Sequence, residues 1–287
     1  MHESSHPPKI LEFLTNRGAA PALTWYAGSG LSERIELSGK VCANHLTKIA
    51  NYLSLECELG VGQTMWVDLP SSWKSMLWSS AALLLGANLE FLAANFDVQS
   101  IFADGSPAIS QQDLQSTSSF GSSAVFSDGD LILTNRPEFW TAGAGSELAA
   151  AVQVEIVALN LDSLAFAWAS ELPDDAFDGQ AEVMGQPDAL IVETQMSESN
   201  WGNYVLPQIL LQRDAAAGYV QANTADATVF LGADFLSADT NANRLAAKGE
   251  SAVDTFQKIF TAWSKAKAVV ILLGNDNLEK VLKSEGF

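Results

Sequence analysis

Positive charge is what this sequence has least of. Fifteen Lys and Arg stand against 34 Asp and Glu, for a formal net charge of −19. Such a chain repels polyanions, which argues against nucleic acid and against anionic membrane surfaces as partners. Histidine is equally scarce, and of the three only His45 falls within the expected folded body. With no G-x-S-x-G elbow and no patterned Ser or Cys partner, His45 reads as structural and no catalytic residue is assigned. The two cysteines, Cys42 and Cys57, lie on one predicted helix and form no CxxC pair. They are expected to be reduced, packed thiols of a cytoplasmic protein. No apolar run approaches the roughly 20 residues that a membrane helix needs. The opening Met1–Pro8 has no apolar core of the kind a signal peptide carries.

Hydrophobic residues, by contrast, make up 48% of the 287 and charged residues only 17%, a globular composition able to fill two packed subdomains. The most informative stretch is Arg34 to Ala93. Leu46, Ile49, Ala50 and Leu53 recur at helical spacing, predicting a helix over 39–58 capped by Ser38. A strand is expected over 65–69. From Trp73 to Leu85 a helix apolar on all sides is expected, which must be buried all round. Ser71 or Ser72 would cap its start and Gly86 its end. A strand over 89–93 completes a helix–strand–helix–strand order, the pattern of a parallel α/β sheet.

This stretch resembles the start of the adenylate-forming enzymes, the superfamily of acyl-CoA synthetases, luciferases and peptide-synthetase adenylation domains. The matching residues are Leu37, Ser38, Leu59, Gly60, Val61, Gly62, Val67, Leu69, Pro70, Gly86 and Ala87. More narrowly, the chain resembles a shortened group of AMP-binding-domain homologues. The resemblance implies an α/β fold of two similar subdomains with mostly parallel sheets. It also implies that the adenine-contacting and magnesium-ligating motifs, the hinge and the catalytic lysine would lie beyond Phe287, so that this chain alone does not assemble an adenylation site.

Along the rest of the chain a helix is expected at 8–17, and strands at 22–26, 34–37, 98–103, 131–134, 154–159, 189–193, 228–231 and 268–273. Further helices are expected at 146–151, 204–217, 251–265 and 277–284. Residues 171–188 read as an acidic loop. The domain boundaries follow: an N-terminal segment 1–19, a first α/β subdomain 20–188, and a second, incomplete one 189–287.

The resemblance places the family's phosphate loop after the expected strand 189–193, at Thr194 to Asn203. There Thr194, Ser197, Ser199, Asn200 and Gly202 would be the phosphate-facing residues. The loop holds one glycine and no lysine. No Lys or Arg occurs between Arg136 and Arg213, an interval with twelve Asp and Glu. A triphosphate is normally held by an opposing cation, so the loop is expected to be degenerate and neither ATP nor AMP to be a cofactor. Trp201 and Tyr204 could instead line an apolar pocket at the carboxyl edge of a sheet. The H-e-x-x-H spacing of His2–His6 runs into Pro7-Pro8, and the calcium-loop-like run 239–250 has Arg244 where glycine is wanted. No metal site is assigned to either. The expectation is a non-catalytic, AMP-binding-domain-like module that takes a small apolar ligand or a protein partner, with a homo-oligomer as a further expectation. The alternative is an acid–thiol ligase of the acyl-CoA synthetase type that needs a partner chain.

Overall fold

The structure, a computed structural model, describes residues 9–27, 33–70, 72–92, 108–109, 124–143, 145–151, 153–195, 220–222, 227–231 and 269–273. Two five-stranded sheets organise them. The first, sheet A, has the order β10–β11–β12–β1–β2, built from β1 (Pro21–Ala27), β2 (Glu33–Ser38), β10 (Val220–Ala222), β11 (Ala227–Leu231) and β12 (Val269–Leu273). It is mixed: β1 pairs antiparallel with β2 and parallel with β12. Sheet A thus draws strands from both sides of position 188/189. The second, sheet B, has the order β4–β3–β7–β8–β9, from β3 (Thr64–Asp68), β4 (Asn88–Phe91), β7 (Leu131–Thr134), β8 (Glu155–Ala158) and β9 (Ala176–Asp178). Every pairing in sheet B is parallel. A two-stranded ribbon joins β5 (Ala108–Ile109) to β6 (Ala124–Val125).

A parallel sheet hides both faces, and sheet B does so by alternation. Met65, Val67, Leu131, Leu133 and Val157 point into the main core, while Trp66, Ile132 and Ile156 point into a second, smaller one. The helices α2 (Gly39–Leu55) and α3 (Trp73–Leu84) fill the main core, and α3 touches β1 of sheet A as well as β3 and β4 of sheet B. Being covered on both sides is what its all-round apolar sequence demands. Its start is fixed by Ser72, whose hydroxyl accepts the Ser75 N–H while the Ser75 hydroxyl accepts the Ser72 N–H, a reciprocal cap. Its end is fixed by Gly86, whose φ of +80° favours glycine. Ser38 caps α2, as its position requires. On the far face of sheet B, α4 (Pro137–Thr141) and α5 (Ser146–Ala151) cover the smaller core, and α1 (Lys9–Arg17) packs on α2.

Two expectations are corrected. The acidic stretch 171–188 is not a loop throughout: it contains β9 and α6 (Gly179–Gly185). Asp178 starts this helix, its Oδ1 accepting the N–H groups of Gln180 and Ala181 at 3.1 Å each. Residues 189–193 form no strand. Their backbone groups are held by a side chain instead of a ladder: Asn51 Nδ2 donates to the carbonyls of Pro187 and Ala189, and Asn51 Oδ1 accepts the Ile191 N–H. Cys57 lies past the end of α2, and both cysteines are free and buried. Burial pushes the Cys42 thiol up to about 12. The expected strand 98–103 and helices 204–217, 251–265 and 277–284 lie outside the described residues, as do His2–His6 and 239–250.

Candidate functional site

Parallel α/β sheets bind ligands at the carboxyl ends of their strands, where the chain switches direction of travel across the sheet. In sheet B that point lies between β3 and β7, since the chain goes from β3 to β4 on one side and then to β7 on the other. Asp68 and Thr134 are in register there, at the last position of each strand. Asp68 is 6% exposed and is saturated with donors. Its Oδ2 accepts from Thr134 Oγ1 at 2.7 Å, Trp140 Nε1 at 2.8 Å and Arg136 Nε at 2.8 Å, and its Oδ1 accepts from Arg136 Nη2 at 2.7 Å. The Arg136 guanidinium also lies 4.4 Å over the Phe139 ring. A cation does stand at the switch point, but its fork is closed on a carboxylate.

A separate cavity of about 130 Å³, sharing no residue with this cluster, opens on the side of the main core. Its walls come from β2 (Ile35, Leu37), α2 (His45, Ile49), α3 (Trp73, Leu77, Trp78), the loop 163–166 and α6 (Gln180, Val183, Met184). Leu164 and Phe166, at 70% and 69% exposed, stand at its rim. The loop is tied down from beneath. Lys74 Nζ donates to the carbonyls of Asn160 and Asp162 at 2.6 Å and of Ala165 at 3.5 Å. Gln180 Nε2 donates to the Ala165 carbonyl, and its Oε1 accepts the Asn160 N–H. Burial brings the Lys74 ammonium down to about 8, against the pull of Asp162.

His45 meets Trp73 edge to face, with ring centroids 5.6 Å apart. Burial first, then Lys48 and Lys74, hold its pKa below the usual 6.5. A histidine kept neutral by the fold binds fewer protons than its unfolded counterpart in the window between the folded pKa and 6.5. Stability therefore rises with pH through that window and falls on acidification below 6.5. In His45→Gln this part of the slope should vanish. Urea midpoints at pH 7 and pH 5.5 for both chains would show it, and identical slopes would refute it.

Of the residues expected at the phosphate loop, Thr194 alone is described, and it lies far from this cavity. The neighbouring Gln195 N–H donates to the Leu84 carbonyl at 3.1 Å, at the C-terminal end of α3. That end is roughly 16 Å along the helix from Trp73, and it carries negative partial charge. Ser197, Ser199, Asn200, Gly202, Trp201 and Tyr204 lie outside the described residues. The aromatic pocket that is described uses other tryptophans: Trp73 and Trp78, both buried in the main core as expected, also form its wall. Sequence reasoning missed α6 and the loop 163–166 as wall elements. The Asp178-Gly179 start of α6 was the available signal. Among the described residues no cluster of His, Cys, Asp and Glu could hold a metal ion, and no helix is long and apolar enough to cross a membrane.

Neither a family model nor a curated protein matches the sequence. Solved structures do match the fold. Coronafacic acid ligase from Pectobacterium brasiliense superposes with a TM-score of 0.50 at 12% identity, over 96% of this chain and 47% of the ligase. Acetoacetyl-CoA synthetase from Streptomyces lividans gives 0.47 at 12% identity over 93% and 38%, and a Brucella canis acyl-CoA synthetase 0.44 at 15% over 79% and 34%. The chain spans about half the length, or less, of these proteins. What the likeness to coronafacic acid ligase establishes is a fold alone: an α/β architecture shared with about half of that ligase.

Proposed function

We propose that this protein is a non-catalytic, AMP-binding-domain-like module that binds a small apolar ligand in the cavity between α2, α3, α6 and β2. The observation that carries this reading is the cavity itself, walled by Trp73, Trp78, Ile35 and Val183 and rimmed by exposed Leu164 and Phe166. An apolar cavity is filled favourably by an apolar guest, and one near 150 Å³ takes a benzene-sized molecule. Nucleotide is not the guest on this reading. Lys74, the basic side chain that lines the cavity, is engaged within the fold. The phosphate-loop stretch supplies no cation in the interval 137–212.

The test has two arms. Fluorobenzene should bind saturably by fluorine NMR. Mg-ATP should give no calorimetric heat, and pyrophosphate exchange with a panel of carboxylic acids should stay flat. The second reading, an acid–thiol ligase completed by a partner chain, draws on the fold shared with coronafacic acid ligase. Micromolar Mg-ATP affinity or acid-dependent exchange would establish it against the first.

A further inference from the structure

Three large apolar side chains stand in solvent around the cavity: Leu164, Phe166 and Met184, each more than half exposed. All three line the same cavity, so they make one patch. The loop that carries Leu164 and Phe166 is not free to fold inward over it. Lys74 Nζ holds the carbonyls of Asn160, Asp162 and Ala165, and Gln180 holds Asn160 and Ala165 from α6. A contiguous apolar patch kept in water by a fixed loop marks a surface for a partner.

Charge selects the partner. The loop and α6 belong to a stretch of one sign, for no Lys or Arg occurs between Arg136 and Arg213. Asp162, Glu171, Asp174, Asp175 and Glu182 are all exposed, and Asp162 and Glu182 lie close in sequence to Leu164 and Met184. The lysines nearby are already committed: Lys74 to the loop, and Lys48 to the carbonyls of Met184 and Gln186 and to the Asp188 carboxylate. A second copy brings its own charge of −19 and the same acidic stretch, and is repelled. A cationic partner is drawn in. The socket sets the size of its anchor: about 130 Å³ takes one benzene-sized group, the ring of a phenylalanine. A buried aromatic anchor in such a pocket carries most of the energy of an interface.

We propose that the cavity and its rim are a docking site for a basic protein segment, one apolar anchor residue set between lysines or arginines. The anchor enters the cavity already read as an apolar site, and the proposal rests on that reading. Leu164, Phe166 and Met184 pack around the anchor, and the acidic stretch attracts the cations on either side of it.

The test uses the full chain and fluorine NMR. The probes are fluorobenzene and two alanine-rich peptides with one central 4-fluorophenylalanine, flanked by lysines in the first and by glutamates in the second. At low salt the lysine peptide should bind at least about tenfold more tightly than the glutamate peptide and should displace fluorobenzene. Salt at about 0.5 M should remove most of that preference. The double variant Leu164→Ser/Phe166→Ser, at exposed positions, should weaken the lysine peptide about tenfold. Equal affinity for the two peptides overturns the proposal. Unchanged lysine-peptide binding in the double variant, or binding that leaves fluorobenzene in place, overturns it too, since charge alone would then hold the peptide. A dimer in sedimentation velocity that the double variant abolishes overturns it in favour of a second copy. Saturable fluorobenzene binding with neither peptide bound overturns the proposal and leaves the cavity a small-molecule site. Failure of all three probes overturns both the proposal and the cavity reading beneath it.

Discussion

Asp68→Ala should lose about 3–5 kcal/mol of folding stability, read as a lower urea midpoint with an unchanged slope. The carboxylate sits at the end of β3, 6% exposed, and four donors converge on it from β7, from the turn after it and from α4. Removing it leaves the Trp140 indole N–H and the Thr134 hydroxyl buried without their acceptor, and Arg136 without its counter-charge. Each orphaned group costs about 1–3 kcal/mol. The reverse truncation, Arg136→Met, should be milder. The Arg136 side chain is 34% exposed and can turn to water, and Asp68 keeps Thr134 and Trp140. A loss under about 1 kcal/mol for Asp68→Ala would show that the cluster does not hold the end of the sheet. Asp130 plays the matching part at the other end, taking the Trp66 indole N–H at 2.9 Å and the Thr64 N–H at 2.8 Å. Phe126 stacks on Trp66 at 4.2 Å and leans on Trp140 at 6.2 Å, so the two carboxylates bracket one aromatic stack.

Asn51→Leu should cost about 3 kcal/mol and free the segment 187–193. Asn51 is fully buried in α2, and its amide makes three bonds to that segment. At about 1 kcal/mol each, the sum is of that order. Local release has its own readout. Trypsin cannot report it, because 137–212 contains no Lys or Arg. A glutamate-specific protease can, and cleavage after Glu193 should accelerate at least about tenfold. Unchanged cleavage alongside a large global loss would mean that Asn51 supports the helix and not the segment.

These residues mark how far the sequence could be read. The β3–α3–β4 unit was legible because each of its signals is local: Ser72 before an apolar run, Gly86 after it, and short β-branched or aromatic runs on either side. The same holds for α2, β7 and β8. Residues 189–193 misled because Leu190, Ile191 and Val192 look like a strand, while the decision was taken by Asn51, far away in the chain. A lone polar residue between Ala50 and Leu53 on an apolar face was the clue. The acidic composition of 171–188 hid a seven-residue helix. The cavity was illegible in kind: His45, Trp73, Phe166 and Val183 come from four separate elements, and nothing in their spacing announces that they meet. Arg136 and Asp68 meet only because β3 and β7 are neighbours in register.

The pairing of β1 with β12 imposes an order on synthesis. Sheet B takes its strands from 64–91 and 131–178 and can close as the chain emerges. The edge of β1 opposite β2 must wait from Ala27 until Val269 has left the ribosome. At about 5–20 residues per second that interval is about 10–50 s. For that time Leu23, Thr24 and Trp25 present unpaired backbone to solvent or to a chaperone, and nascent chains halted before Val269 are the form in which this protein is most exposed to aberrant strand pairing.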